Sequence, residues 1–282
     1  MHTGPAAWPP EIPFRFSADE LLPEIHADDL EVGAVRAGVL GHGALIVRSL
    51  LDPDRVGRLA ECIPAAFAAY RDVVGGTPED DTDGWVGFLP TAIDEIEGRR
   101  FVWEGGGILA ADSPRSLFAV MEVLDEIGFV DLVTGYFGER PSISAKKTTL
   151  RDVPPDTASG WHQDGAFMGV NIRSLNLWIA LTPCGVDAAS LDLVPRRLDD
   201  IMPTGTEGAP FDWAASDAVA TEAAGDRPIV RPVFAAGDAI LFDHMNLHRT
   251  AADPGLTQHR LALECWFFAP SAYPVNEIPL AL

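Results

Sequence analysis

The chain has 282 residues, 47% of them apolar, and sets 42 acidic against 20 basic side chains, giving a net charge of −22 and a pI near 4.5. Duplex nucleic acid and anionic membrane surfaces both require a basic footprint, so this balance excludes them as partners. The apolar share supports a sizeable core, and the length fits one barrel- or sandwich-sized domain. Three scattered cysteines, Cys62, Cys184 and Cys265, suit neither a disulfide framework nor a zinc site and predict reduced thiols. No apolar run reaches the roughly 18 residues that span a bilayer. The start lacks a basic segment followed by an apolar one, so a cytoplasmic protein is expected.

Residues 1–17, rich in proline, predict an irregular segment draped over the body. Ser17-Ala18-Asp19-Glu20 has the pattern of a capping box and predicts a short helix. Asp52-Pro53 opens a longer helix through Val56, Leu59, Ile63 and Phe67, with Pro53 suited to the first helical position. Residues 77–84 form an acidic loop, and residues 101–107, ending in three glycines, predict a flexible connection. Ser113-Pro114 starts a helical stretch to about Phe137, broken near Gly128. From Ser142 onward strand and turn signals dominate, with an Ala-, Asp- and Gly-rich interruption at 198–227. Helices first and strands afterwards predict a mainly β fold with α: a barrel core over roughly 142–270, backed by N-terminal helices, in one domain of 1–282.

Chemistry enters at Trp161-His162-Gln163-Asp164-Gly165. Side chains two apart on an extended segment share a face, so His162 and Asp164 bring an imidazole nitrogen and a carboxylate oxygen to one point. A second histidine would complete the facial triad of non-haem Fe(II) oxygenases. The run 237–250 reads as a strand that offers His244 and His248, and His259 follows. His244 and His248 are four apart, so a regular strand turns both to one face. Asp253-Pro254-Gly255 is a turn signal, and 260–268 is a further strand; pairing the two as a hairpin sets Arg260 beside His248. A guanidinium fork there suits a cosubstrate that chelates the metal at one end and ends in a carboxylate, as 2-oxoglutarate does. Alternation sends Arg249 away from His248 and Thr250 to the same side, where its hydroxyl can reach that carboxylate. It also puts Glu264 on the face of Arg260, either beyond the buried stretch or as an inward carboxylate with a partner.

The strand from Ser174 sets Leu175, Leu177, Ile179 and Leu181 on one face and Ser174, Asn176, Trp178 and Ala180 on the other. Burial of both faces puts a polar and aromatic set inside a barrel, as a ligand pocket needs.

Together these segments resemble the phytanoyl-CoA dioxygenase family of Fe(II)- and 2-oxoglutarate-dependent oxygenases. The resemblance rests on Trp161 to Gly165, the strand Leu175 to Leu181, Leu193-Val194-Pro195, Gly237-Asp238, His248-x-Thr250 and Arg260, with Leu40 to Asp52 similar to the family's opening strand and helix start. It spans roughly 30–270. Asp253 stands where relatives commonly carry asparagine, and Arg196-Arg197 replaces a Gly-Ser-His-like stretch. The resemblance implies a double-stranded β-helix (a jelly-roll, cupin-like barrel) with His162, Asp164 and His248 as ligands, since His-x-Thr and the spacing to Arg260 favour His248. His244 becomes a satisfied pocket or core histidine. Arg260 and Thr250 are expected to hold 2-oxoglutarate, with Thr149, Gln163, Asn176 and Trp178 lining its pocket. Fe(II), 2-oxoglutarate and O2 are the implied cofactors and cosubstrates. Halogenating relatives carry a small residue where Asp164 stands, so hydroxylation of an unactivated C–H with release of succinate and CO2 is expected, with desaturation, ring closure or epimerisation as alternatives that substrate positioning would decide. The prime substrate is a small organic molecule, with Phe101, Trp103, Phe167 and Met168 as candidate contacts beside Trp85 and Phe88. No basic cluster marks a coenzyme A phosphate site, and Lys146 and Lys147 are expected to be surface charges. Competing readings are a non-catalytic binding module with the same barrel and a cupin-type metalloenzyme without 2-oxoglutarate.

Overall fold

The computed structural model describes residues 8–87, 89, 93–157, 159–206, 208–251 and 253–282; Phe88 lies outside them. Eleven strands and seven α-helices are described. The strands are β1 (Glu24–His26), β2 (Ala44–Arg48), β3 (Gly107–Leu109), β4 (Ser142–Ser144), β5 (Thr149–Val153), β6 (Ser174–Ala180), β7 (Ser190–Leu193), β8 (Ala239–Phe242), β9 (His248–Ala251), β10 (Arg260–Phe268) and β11 (Pro279–Ala281). The helices are α1 (Val32–Arg36), α2 (Pro53–Val74), α3 (Ile93–Glu104), α4 (Pro114–Glu126), α5 (Phe129–Phe137), α6 (Gly165–Met168) and α7 (Asp217–Ala224). None of the described helices is long and apolar enough to cross a membrane.

Local signals explain the helical layer. The Asp52 carboxylate accepts from the Arg55 amide at 2.9 Å, capping α2, with Pro53 at its start. Val56, Leu59, Ile63 and Phe67 recur at helical spacing and are all buried. Gly128, at φ 65°, separates α4 from α5, a left-handed conformation that favours glycine. Two expectations fail here. Ser17 to Glu20 makes only a turn, closed by a Glu20 amide bond to the Ser17 carbonyl of 3.0 Å, because no apolar run follows the cap. Residues 101–104 are the end of α3, and the glycines after it turn directly into β3.

The main sheet runs β1-β2-β8-β6-β10-β4-β11, with β5 also on β10 and β3 on β5. Both faces are covered. Leu45, Val47, Leu175, Leu177, Ile179, Leu241 and Phe267 share a core with the buried residues of α2, α4 and α5. On the other face Ile46, Trp178, Ile240, Phe242, Ala262, Trp266 and Phe268 form an inner core with Leu191 and Leu193 of β7. All seven residues of β6 are buried, as the pocket argument expects. Each fully buried Leu or Phe on these faces contributes about 1.5–3 kcal/mol relative to exposure. The second, smaller sheet pairs β7 with β9 and gains backbone bridges from His162 to His248 and from Leu193 to Val230. The result is two sheets facing across an inner core, backed on one side by helices.

The expected hairpin between 237–250 and 260–268 does not form. The run breaks after β8, where the Asp243 carboxylate accepts from the Met245 amide at 3.0 Å and its carbonyl from the Asn246 amide at 3.1 Å. Asn246 then donates its side-chain amide to the Gly43 carbonyl at 3.3 Å. This turn carries the chain from the main sheet into the small one, so β9 pairs with β7, while β10 lies between β6 on one side and β4 and β5 on the other.

Candidate metal centre

His162, Asp164 and His248 each offer one ligand atom, all within 4.8 Å of one another. Backbone pairing brings them together: the amides of His162 and His248 donate to each other's carbonyls at 2.9 and 3.0 Å, and Asp164 leads into α6. Both imidazoles are fixed from behind. Nδ1 of His162 lies 2.9 Å from the Gly160 carbonyl and Nδ1 of His248 lies 3.1 Å from the Asn246 carbonyl. Carbonyls only accept, so each Nδ1 carries the proton and each Nε2 lone pair faces the centre. Burial and the neighbouring His162 depress the His248 pKa to about 4, so it is neutral near pH 7. Burial pushes the Asp164 carboxyl up, but Lys147 and the two histidines override this and hold it at about 2. Two imidazoles and one carboxylate are a donor set suited to Fe(II), with the remaining positions open.

Lys147 corrects the expectation of a surface charge. Its ammonium donates to Asp164 Oδ1 at 2.7 Å, while Asp164 Oδ2 lies 3.9 Å from Nε2 of His248. It rests over the rings of Phe167 and Trp266, at 4.8 and 5.6 Å from their centroids. Burial would lower its pKa, but Asp164 and Glu264 outweigh that and raise it. The cation therefore occupies Oδ1, and Oδ2 is the oxygen that lies near His248. The alternatives for Glu264 are also resolved: it points inward with partners. Arg151 donates to it at 2.8 and 3.2 Å and Trp266 Nε1 at 2.8 Å.

Arg260 differs. It is 2% exposed, its Nη1 donates to the Ala189 and Ser190 carbonyls at 3.3 and 3.2 Å, and its Nε has no partner. The guanidinium lies over Trp178 at 5.3 Å. Burial, with no carboxylate in contact among the described residues, lowers its pKa to about 10, where it is still charged near pH 7. A buried cation without an anion is costly, and a carboxylate ligand would remove that cost. Asn176 on β6 adds a buried Oδ1 without a partner. Arg249, by contrast, is engaged by Asp192 at 3.0 Å and Asp217 at 2.6 Å and covers Trp161.

The other expected residues separate into groups. Thr149 is buried opposite Glu264, and the Thr250 amide donates to the Ser159 hydroxyl at 2.7 Å. Gln163 is committed elsewhere: its amide nitrogen bonds the Met245 and Asp200 carbonyls at 2.8 and 3.1 Å, and its oxygen accepts from the Met202 amide at 2.7 Å. It has no polar atom to spare for a cosubstrate and ties the 200–202 loop to the centre. His244 is satisfied by Ser174 at 2.9 Å and Val170 at 3.3 Å.

Beside the His162 ring, Phe167 stacks at 6.4 Å and Trp213 meets it edge-on at 5.8 Å. Phe211 stacks on Trp213 at 5.1 Å, and Phe101 contacts it edge-on at 6.2 Å. Phe101 and Phe167 are 62% and 48% exposed, which suits a vestibule wall. Met168 is buried in the inner core. Trp103 is a correction: stacked on Phe67 and Tyr70 at 5.1 and 4.8 Å, it belongs to the packing against α2. Trp85 holds Arg115 over its ring. Sequence reasoning missed Phe211 and Trp213; two aromatics inside an otherwise Ala-, Asp- and Gly-rich stretch were the available signal.

The family model described as Phytanoyl-CoA dioxygenase (PhyH) matches residues 40–255, well over half of the chain. The chain belongs to the phytanoyl-CoA dioxygenase family. It is a non-haem oxygenase, with Fe(II), 2-oxoglutarate and O2 as its cofactor and cosubstrates. No curated protein sequence matches significantly. Solved structures share the double-stranded β-helix fold at low identity. EctD from S. alaskensis, solved with 2-oxoglutarate and 5-hydroxyectoine, is 18% identical with a TM-score of 0.56, over 92% of this chain and 80% of that one. AviO1 from Streptomyces viridochromogenes Tue57 is also 18% identical, with a TM-score of 0.53 over 83% of this chain and 93% of that one. SnoK, a non-haem alpha-ketoglutarate-dependent carbocyclase from nogalamycin biosynthesis, is 16% identical with a TM-score of 0.52, over 86% and 85% of the two chains.

Proposed function

We propose that the protein hydroxylates an unactivated C–H of a small organic molecule, with His162, Asp164 and His248 holding Fe(II) and Arg260 receiving the distal carboxylate of 2-oxoglutarate. Fe(II) and 2-oxoglutarate together supply the oxidising power, with succinate and CO2 as the cosubstrate's products. The chain's own residues set the conditions. The Gly160 and Asn246 carbonyls orient the imidazoles, and Lys147 keeps one oxygen of Asp164 occupied. Arg260 over Trp178, with Asn176 and Thr250, forms the receptor for the far end of the cosubstrate. Phe167, Trp213 and Phe101 form an apolar vestibule on the side of His162, suited to a planar or apolar portion of the substrate.

The observation that carries this reading is the pairing of a three-ligand centre with a buried guanidinium that lacks an anion. Iron-dependent formation of succinate from 2-oxoglutarate tests it. His248→Ala should abolish that turnover and His244→Ala should retain most of it; the reverse pattern contradicts the ligand assignment.

A further inference from the structure

Away from the metal ligands, a groove of about 570 Å³ opens between residues 12–18, the turn 37–42 that continues α1, and the loops at 196–197 and 226–227. Its charged lining is Arg15, Arg196, Arg197 and Arg227 against a single carboxylate, Asp226, with His42 alongside. The whole chain has 42 acids and 20 bases, so five charges drawn at random would include about three acids. Here the ratio is reversed. The four arginines come from three separated stretches of sequence, and the fold alone gathers them.

Not all of this charge is neutralised within the protein. Arg15 pairs with Glu31 and Arg197 with Asp243. Arg227 instead donates to two backbone carbonyls, Ala18 at 2.7 Å and Pro195 at 3.1 Å. Those bonds fix the guanidinium and leave its charge without a carboxylate partner among the described residues. The Arg196 guanidinium has no hydrogen-bond or ion-pair partner among the described residues, its backbone amide alone bonding the Val194 carbonyl at 2.9 Å. One rim is apolar and uncovered, with Phe14 93% and Ile12 41% exposed. A positioned guanidinium, a free one and an exposed aromatic edge form a receptor for an anion with an apolar body. Guanidinium forks match phosphate oxygens in geometry and charge.

We propose that this groove binds an organic phosphate, with the phosphate on Arg196 and Arg227 and the organic part against Ile12 and Phe14. The site is independent of the metal centre, because none of the metal ligands lines it.

Calorimetric titration of the full chain with pyrophosphate and with adenosine 5′-diphosphate tests this. Saturable binding is expected for both probes, tighter for the nucleotide. Arg196→Ala, which breaks no side-chain hydrogen bond or ion pair among the described residues, should weaken both at least about tenfold, the loss expected for one charged hydrogen bond. Arg196→Glu should abolish binding, and Phe14→Ser should weaken the nucleotide alone. Arg100→Ala, on the exposed face of α3, and Arg260→Ala should leave both affinities unchanged. Absence of saturable heat, or equal loss in Arg196→Ala and Arg100→Ala, overturns the site. Loss in Arg260→Ala instead would place the anion in the cosubstrate pocket and overturn it equally. A nucleotide bound no more tightly than pyrophosphate would overturn the role given to Ile12 and Phe14.

Discussion

Glu264 and Arg260 sit on one face of β10, four residues apart, in opposite electrostatic states. Around Glu264 the protein supplies the partners itself: Arg151 and Trp266 bond it, and the charge of Lys147 adds to that of Arg151. Around Arg260 it supplies two carbonyls and an aromatic face but no anion. Burial penalises both charges, yet Glu264 ends with its pKa lowered because cations outweigh burial, whereas Arg260 is pulled down to about 10 because burial outweighs the weak opposing pull of Cys184 and the more distant Glu264. The first end is finished by folding. In the function proposed above, the second would be completed by the carboxylate of 2-oxoglutarate, which is how such a receptor would differ from a structural ion pair.

The largest expected effect lies at the centre that both ends flank. Asp164→Ala removes one ligand and its negative charge and should leave no detectable hydroxylation; parental activity in that variant would break the facial arrangement. Next comes the ligand-dependent end. Arg260→Ala should weaken 2-oxoglutarate binding by about 2–4 kcal/mol, roughly 30- to 1000-fold, while Fe(II) binding stays near normal. Arg260→Lys should recover part of the loss, and Arg249→Ala, already paired outward with Asp192 and Asp217, should show none.

At the finished end the effect should be smaller. Lys147→Met frees Oδ1 of Asp164 and should cost about 10- to 100-fold in Fe(II) affinity, the range for partners that orient a ligand. Lys147→Arg should restore most of it, and equilibrium metal titration distinguishes the two. Smallest is an acid effect on the metal-free protein. Unfolded His248 takes a proton near its ordinary 6.5, and the folded one only near 4, so folding stability falls as pH drops through that window. The unfolding midpoint should fall about a few degrees more in the parent than in His248→Asn between those limits.

Signals that act over a few residues were legible in the sequence: Asp52-Pro53 starting a helix, Gly128 ending one, and the two faces of β6. The His-x-Asp spacing likewise needed only strand alternation. The missing parts depend on contacts between distant segments. The Asp243 turn that moves β9 to the other sheet closes on Asn246 and Gly43, and it separates His244 from His248 where periodicity treats them alike. Lys147 has the composition of a surface residue and turns inward because Asp164, Glu264 and two ring faces receive it. Trp103 and Trp213 are indistinguishable as letters; one packs on α2 and the other stands beside His162. The arginine groove was invisible for the same reason, since Arg15, Arg196 and Arg227 meet only in the fold.

The most direct measurement is anaerobic addition of 2-oxoglutarate to the Fe(II)-loaded protein, followed by visible absorption. A saturable charge-transfer band from the chelated 2-oxo acid is expected in the parent. It should be absent in His248→Ala and shifted to much higher 2-oxoglutarate concentration in Arg260→Ala. No band in the parent at saturating iron and 2-oxoglutarate, or an unchanged titration in Arg260→Ala, would contradict the account.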